Sequence, residues 1–194
     1  MVPDTRLRLT TVVKALDDII TPALPAEAVF AHEQLALIKK SISIAIEQIV
    51  HEYAFTVRDA KEYLALAEAL TSHMADNHPV RPKLADTRER GHRIVPETIP
   101  DRPAVEAYLH SLKSDVEVAV EVLFTDTKGK DMRAVEALIL DHGAGQTLRE
   151  RAWTISTGFE KDPASIPPVT DLIYGVSTGP TQSASSARSS TPSR

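Results

Sequence analysis

Apolar residues recur at helical steps of three and four from Ala26 to Met74, a stretch without proline or glycine. Ala31, Leu35, Ile38, Ile42, Ala45, Ile49 and Tyr53 fall on one side of a helix, and Ala60, Tyr63, Leu64, Ala67 and Met74 continue in phase. The spacing predicts one long central helix, bent near Ala54–Val57 if anywhere. Thr56-Val57-Arg58-Asp59 has the form of a capping box, so two helices meeting there is the alternative.

Other stretches repeat the pattern. Leu9, Val12, Val13, Leu16, Ile19 and Ile20 make an apolar stripe on a first helix, with Asp4 as its N-cap. Pro22 disfavours helical geometry at Thr21 and predicts the stop there. The TPALP turn then makes the first two helices antiparallel, with Pro25 suited to the first position of the next helix. Val105, Leu109, Leu112, Val116, Ala119 and Leu123 predict a third helix, ended near Gly129. Met132, Val135, Leu138 and Ile139 predict another, broken by Gly143 and Gly145. Thr147-Leu148-Arg149-Glu150 resembles a capping box opening a last helix through Trp153 and Ile155. Together these predict an all-α antiparallel helical bundle without a sheet.

Two segments lack the pattern. Residues 76–103 hold five prolines and no helical stripe, which predicts a long connection; its centre carries Arg81, Lys83, Arg88, Arg90 and Arg93 against Asp86 and Glu89. From Lys161 onward, Ser, Thr and Pro dominate and a disordered tail is expected, with Asp171-Leu172-Ile173-Tyr174 the one patch able to dock. The expected division is therefore a bundle domain over 1–160 and a tail over 161–194.

Composition narrows the function classes. A formal charge of −5 disfavours a general nucleic-acid binder, which needs a basic surface to neutralise phosphates. No cysteine is present, which removes disulfides, thiolate metal sites and cysteine nucleophiles and fits a cytosolic chain. No uninterrupted apolar run suggests a secretory signal or a membrane span. With 5% aromatic residues and 7 glycines, neither an all-β nor a glycine-rich nucleotide-binding fold is expected.

Candidate chemistry is sparse. Gly175-Val176-Ser177-Thr178-Gly179 matches a nucleophile-elbow string and His142-Gly143-Ala144-Gly145 an oxyanion-type one. Neither has a strand–turn–helix context, and no acidic or histidine residue follows Ser177. Glu47…His51 and Glu106…His110 resemble the carboxylate–histidine pairs of metal-binding bundles, spaced four apart rather than three. Glu47 and His51 lie opposite the Ile42/Ile49 face, and Glu106 and His110 flank Leu109 beside Lys113, Glu117 and Glu121, so surface pairing is the plainer reading. The five cations of the connection could hold a small anionic ligand, against a solvated loop as the bland alternative.

The apolar pattern says more. Phe30, Leu37 and Ile44 repeat every seven residues away from the main seam, and Val118 and Val122 sit off the seam of the third long helix. A helix with two apolar stripes is either sandwiched inside its own domain or part of an interface. Covering by the short C-terminal helices and contact with a protein partner or a second copy are the two readings.

The segment from Leu9 to Ile44 resembles small bacterial helical proteins of unknown function, through Ile20, Pro22, Ala23, Leu24, Phe30, Ala31 and His32. Such proteins accompany aminoglycoside-phosphotransferase-like kinases and acyl-CoA dehydrogenases of catabolic pathways. The resemblance implies an accessory role and carries over no catalytic residue. The expected function is thus a non-catalytic interaction subunit of a cytosolic enzyme complex, with no cofactor of its own. A metal- or cofactor-dependent bundle enzyme and an anionic small-molecule-binding bundle are the alternatives.

Overall fold

The computed structural model describes residues 4–95, 101–126 and 130–175, and all regular structure among them is helical. Helix α1 (Thr5–Ala15) is capped by Asp4, whose carboxylate accepts from the Arg6 N–H at 3.3 Å. It continues through a π turn, Leu16–Ile20, into the short α2 (Thr21–Ala23). The expected stop at Thr21 is therefore passed by one turn. The π turn redirects the backbone ladder immediately before Pro22, which has no N–H to contribute to it.

After the Pro25 turn the chain enters α3 at Val29, four residues later than Pro25 suggested, and α3 runs to Gln48. It packs against α1 as an antiparallel hairpin, with Lys39 Nζ on α3 2.7 Å from Asp17 Oδ1. The predicted long central helix does not continue. It breaks at residues 49–51, upstream of the expected Ala54–Val57, and α4 (Glu52–Ser72) starts afresh. Two β-branched residues, Ile49 and Val50, weaken helical geometry at the break. Distant partners hold it there: Gln48 Nε2 donates to the Trp153 carbonyl at 3.0 Å, and His51 Nδ1 lies 3.1 Å from the Tyr174 hydroxyl.

Only the α4 half of the stretch is the organising element. Ala60, Leu64, Leu66, Ala67 and Leu70 are buried, and α5, α6, α7 and α8 all pack on α4. The long connection is in large part a helix, α5 (Arg81–Ile94), with Pro82 in its first turn where a missing N–H costs nothing. Its seam is Leu84, Thr87, Gly91 and the following Val95, a helical spacing written partly in non-apolar residues. Helix α6 (Arg102–Asp126) buries Val105, Leu112, Val116, Ala119 and Leu123 as expected, with Tyr108 rather than Leu109 as the deeper aromatic-turn residue.

Helix α7 (Lys130–Thr154) runs straight through Gly143 and Gly145, so neither glycine breaks it and Thr147 does not start a helix. A helix-interior glycine costs about 1 kcal/mol relative to alanine, which the packing of α7 on α4 offsets. Short turns at Ile155–Thr157 and Pro163–Ser165 lead to α8 (Val169–Tyr174), which docks on α4 and α7 with Ile166 and Ile173 buried. Packing thus extends past the boundary expected at 161, and the Asp171–Tyr174 patch is the part that docks. Gly129 and the serine of the Gly175–Gly179 string lie outside the described residues, as does the chain from Val176 on.

Candidate functional site

The hairpin and the body differ sharply in what they bury. α1 has no buried residue and α3 has one, Leu35. Of the predicted seam, Ile38 is 51% exposed, and Ile19 on the first helical segment is 64% exposed. Phe30 and Leu37, on the second stripe, are 73% and 61% exposed, and Ile44 is half-buried. At about 100° per residue, Leu37 lies roughly 160° around α3 from Leu35, so this stripe faces away from α1. The short C-terminal helix does not cover it: α8 lies on α4 and α7. Fully burying one such side chain is worth about 1.5–3 kcal/mol, so a run of them in water is unspent association energy. On α6 the off-seam pair is less marked, with Val118 exposed and Val122 half-buried.

A second feature lies inside the body. Asp59 of α4 is buried and accepts from two cations, Lys113 Nζ of α6 at 2.7 Å and Arg149 Nη2 of α7 at 3.3 Å. Arg149 also pairs with Glu62, which takes Arg58 Nε at 2.6 Å. Opposite charges at this depth offset the cost of removing each from water. Beside them Tyr63 donates to Gln146 Oε1 at 3.1 Å, and its ring meets His142 edge-on at 4.4 Å. Lys113 Nζ stands 4.8 Å from the centre of the Tyr63 ring. Burial pushes the Tyr63 hydroxyl up and His142 down from their ordinary values, so both stay neutral near pH 7.

These side chains line a cavity of about 290 Å³ between α4, α6 and α7, polar at Tyr63, Lys113 and Gln146 and apolar at Leu66, Val116 and Ile139. Gly143 opens its wall, since a Cβ there would meet no atom within 4 Å. His142 Nε2 is buried with no hydrogen-bond partner among the described residues. Such a pocket can take a small molecule with one apolar and one polar end.

The residues singled out in the sequence fall elsewhere. Four of the five basic candidates on α5 are engaged by carboxylates: Arg81 with Asp76 at 2.9 Å, Lys83 with Asp115 at 2.6 Å, Arg88 with Glu68 at 3.9 Å and Arg90 with Asp86 at 3.3 Å. They are spread around a packed helix rather than gathered on a loop, and Arg93 is exposed at its end. Glu47 and His51 are separated by the break between α3 and α4. His51 faces Tyr174, and Glu106 takes Arg102 Nε at 2.7 Å, while Glu47 and His110 are exposed. Among the described residues no three His, Asp or Glu side chains gather as a metal site requires.

Asp59, Glu62, Lys113, His142 and Arg149 were not singled out as a cluster by sequence reasoning. Their signal is phase: His142, Gln146 and Arg149 continue the seam of Val135, Leu138 and Ile139 at helical steps. No helix among the described residues is long and apolar enough to cross a membrane. Comparisons with protein-family models, curated proteins and solved structures give no match to this chain.

Proposed function

We propose that this protein is a non-catalytic helical interaction subunit whose α1/α3 hairpin docks onto another protein chain. The exposed Phe30–Leu37 stripe of α3 carries this reading, because a helix that buries one residue of twenty leaves most of its apolar surface for a partner. The body formed by α4 to α8 supplies the stability that the hairpin lacks. The resemblance in residues 20–32 supports a kinase-like or dehydrogenase enzyme of bacterial catabolism as a neighbour in the complex.

Native mass spectrometry of tagged protein recovered from its own host cells at low salt tests the reading. A stoichiometric protein complex that is lost on Leu37→Glu, with the helical content of the variant unchanged, is the expected result. Recovery of a single chain, or of a complex indifferent to Leu37→Glu, overturns it.

The cavity between α4, α6 and α7 supports a second reading, a ligand-binding bundle. The observation in its favour is Gly143, a helix-interior glycine facing open space at the cavity wall. The same spectra test it: a bound organic mass that disappears on Gly143→Leu supports a ligand, and its absence from the wild-type protein sinks the idea.

A further inference from the structure

We infer that the chain seated on the α3 stripe is a second copy of this protein, packed antiparallel about Leu37. The inference rests on the hairpin being a docking element and adds the identity and direction of its partner.

The stripe is self-complementary when one copy is reversed. With Leu37 of each copy on the two-fold axis, Phe30 comes level with Ile44 of the other copy at both ends. Large meets medium at the flanks and leucine meets leucine at the centre. A repeat of seven residues drifts only about 20° per heptad on a straight helix, so the three layers stay on one line over the roughly 30 Å of α3.

Charge selects the direction. Glu33 and Lys40 are both exposed and lie seven residues apart on one flank of the stripe. Neither has an ion-pair partner among the described residues, whereas neighbouring Lys39 is held by Asp17 at 2.7 Å. In the antiparallel arrangement Glu33 of each copy comes level with Ser41 of the other, one residue and about 1.5 Å along the axis from Lys40 on the same edge, giving two symmetry-related opposite-charge pairs beside the apolar seam. A parallel two-fold arrangement puts this flank of the two copies on opposite edges of the seam, facing the uncharged Gln34 and Ser41, so neither opposite-charge pair forms. Glu47, the next charge on that flank, is level with a position before Val29, ahead of the other copy's α3.

The chain has no cysteine, so one introduced thiol reports only its own neighbours. Sedimentation velocity of the full-length protein at micromolar concentrations is expected to show a dimer. A short bis-maleimide is expected to link Leu37→Cys to itself. Glu33→Cys alone should give no linked dimer, while an equimolar mixture of Glu33→Cys and Lys40→Cys should give one. Glu33→Lys should lose the dimer at a concentration where wild type is fully dimeric, and Glu33→Lys with Lys40→Glu should regain it. Each substituted position faces water, so the substitutions leave the folded chain intact.

Failure of the Glu33→Cys and Lys40→Cys mixture to link, while Leu37→Cys still links to itself, overturns the antiparallel direction. A wild-type monomer throughout the concentration range overturns the second copy as occupant, and a dimer indifferent to the charge reversal overturns the Glu33–Lys40 pairing and with it the antiparallel packing about Leu37. A monomer that still forms a Leu37-dependent complex in cells would overturn the second copy while leaving the docking role of the hairpin standing with a different chain.

Discussion

Arg149 and Asp59 meet at 3.3 Å across α7 and α4, and they are only 3% and 5% exposed. A guanidinium and a carboxylate at that depth have both lost their hydration, and each depends on the other for compensation. Other charges share the compensation, since Lys113 is also on Asp59 and Arg58 is also on Glu62. Removing one member of a buried pair costs about 3–5 kcal/mol, and the remaining cations put this case near the lower end. Arg149→Met should therefore lower the urea unfolding free energy by about 3 kcal/mol. An unchanged midpoint would mean that the network contributes nothing to the fold.

That network shows how far local pattern reaches. The seams of α4 and α6 are apolar at nearly every step and were legible as such. The seam of α7 changes chemistry halfway, from Val135, Leu138 and Ile139 to His142, Gln146 and Arg149. Read locally, His142-Gly143 looks like a helix end and Thr147–Glu150 like a helix start. The compensating charges sit on α4 and α6, tens of residues away, so no local window contains the reason the helix continues. α5 hides its seam in the same way, behind Thr87 and Gly91. The hairpin is the opposite case: its pattern announced a buried face that its own chain does not bury. Self-association would reconcile pattern and structure there.

Thr87 is fully buried, yet its hydroxyl is satisfied by donating to Asp115 Oδ2 at 2.6 Å; one turn on, Gly91 packs directly on the Tyr108 ring. A Cβ at Gly91 would lie 2.7 Å from Tyr108 Cζ and closer still to the hydroxyl oxygen, so any side chain forces α5 and α6 apart. Overpacking of this kind costs about 1–3 kcal/mol. Gly91→Ala should therefore destabilise the protein even though alanine is the better helix former by about 1 kcal/mol. Thermal denaturation followed by circular dichroism decides the sign; a higher Tm for Gly91→Ala would contradict the packing argument.

Tyr108 supports an opposite expectation. Its hydroxyl is buried with no hydrogen-bond partner among the described residues, and burial pushes its pKa up to about 12. An unsatisfied buried hydroxyl costs about 1–3 kcal/mol, and phenylalanine keeps the ring that fills the α5–α6 contact. Tyr108→Phe should leave stability unchanged or raise it by about 1 kcal/mol in urea titration. A clear loss would show that the hydroxyl has a partner, for example an ordered water.

His142 makes stability depend on pH. Burial holds its pKa below the ordinary 6.5, with Arg149 and Lys113 also lowering it and Glu62 and Asp59 opposing them. The unfolded chain therefore takes up the His142 proton at a higher pH than the folded one does, so acid favours unfolding. The contribution is complete above about pH 6.5 and is lost as pH falls from there toward the depressed folded value. Replacing His142 with Phe should flatten the fall in unfolding free energy between about pH 7.5 and about pH 5.5, each being roughly one unit from the ordinary histidine value. An equal slope in both proteins would assign the pH dependence to other groups.

The hairpin and the body should also separate in hydrogen exchange. Protection in a native protein follows the local density of buried apolar contacts, and exposed elements open at a free energy far below that of global unfolding. Leu70 in α4 is fully buried, while α1 buries no side chain at all. In dilute protein the amides of α1 and α3 should exchange well before those of α4 and α6. If the α3 stripe is covered by a second copy, raising the protein concentration should slow exchange in α3 and leave α4 unchanged, because association stabilises only the state that binds. Leu70→Ala should cost about 2–5 kcal/mol in global stability by leaving a cavity. Leu37→Ala should leave the dilute protein unchanged and remove the concentration dependence of α3. Equal protection of hairpin and body at every dilution would mean that α1 and α3 are held by contacts within the chain, and the exposed stripe would then have no association to drive.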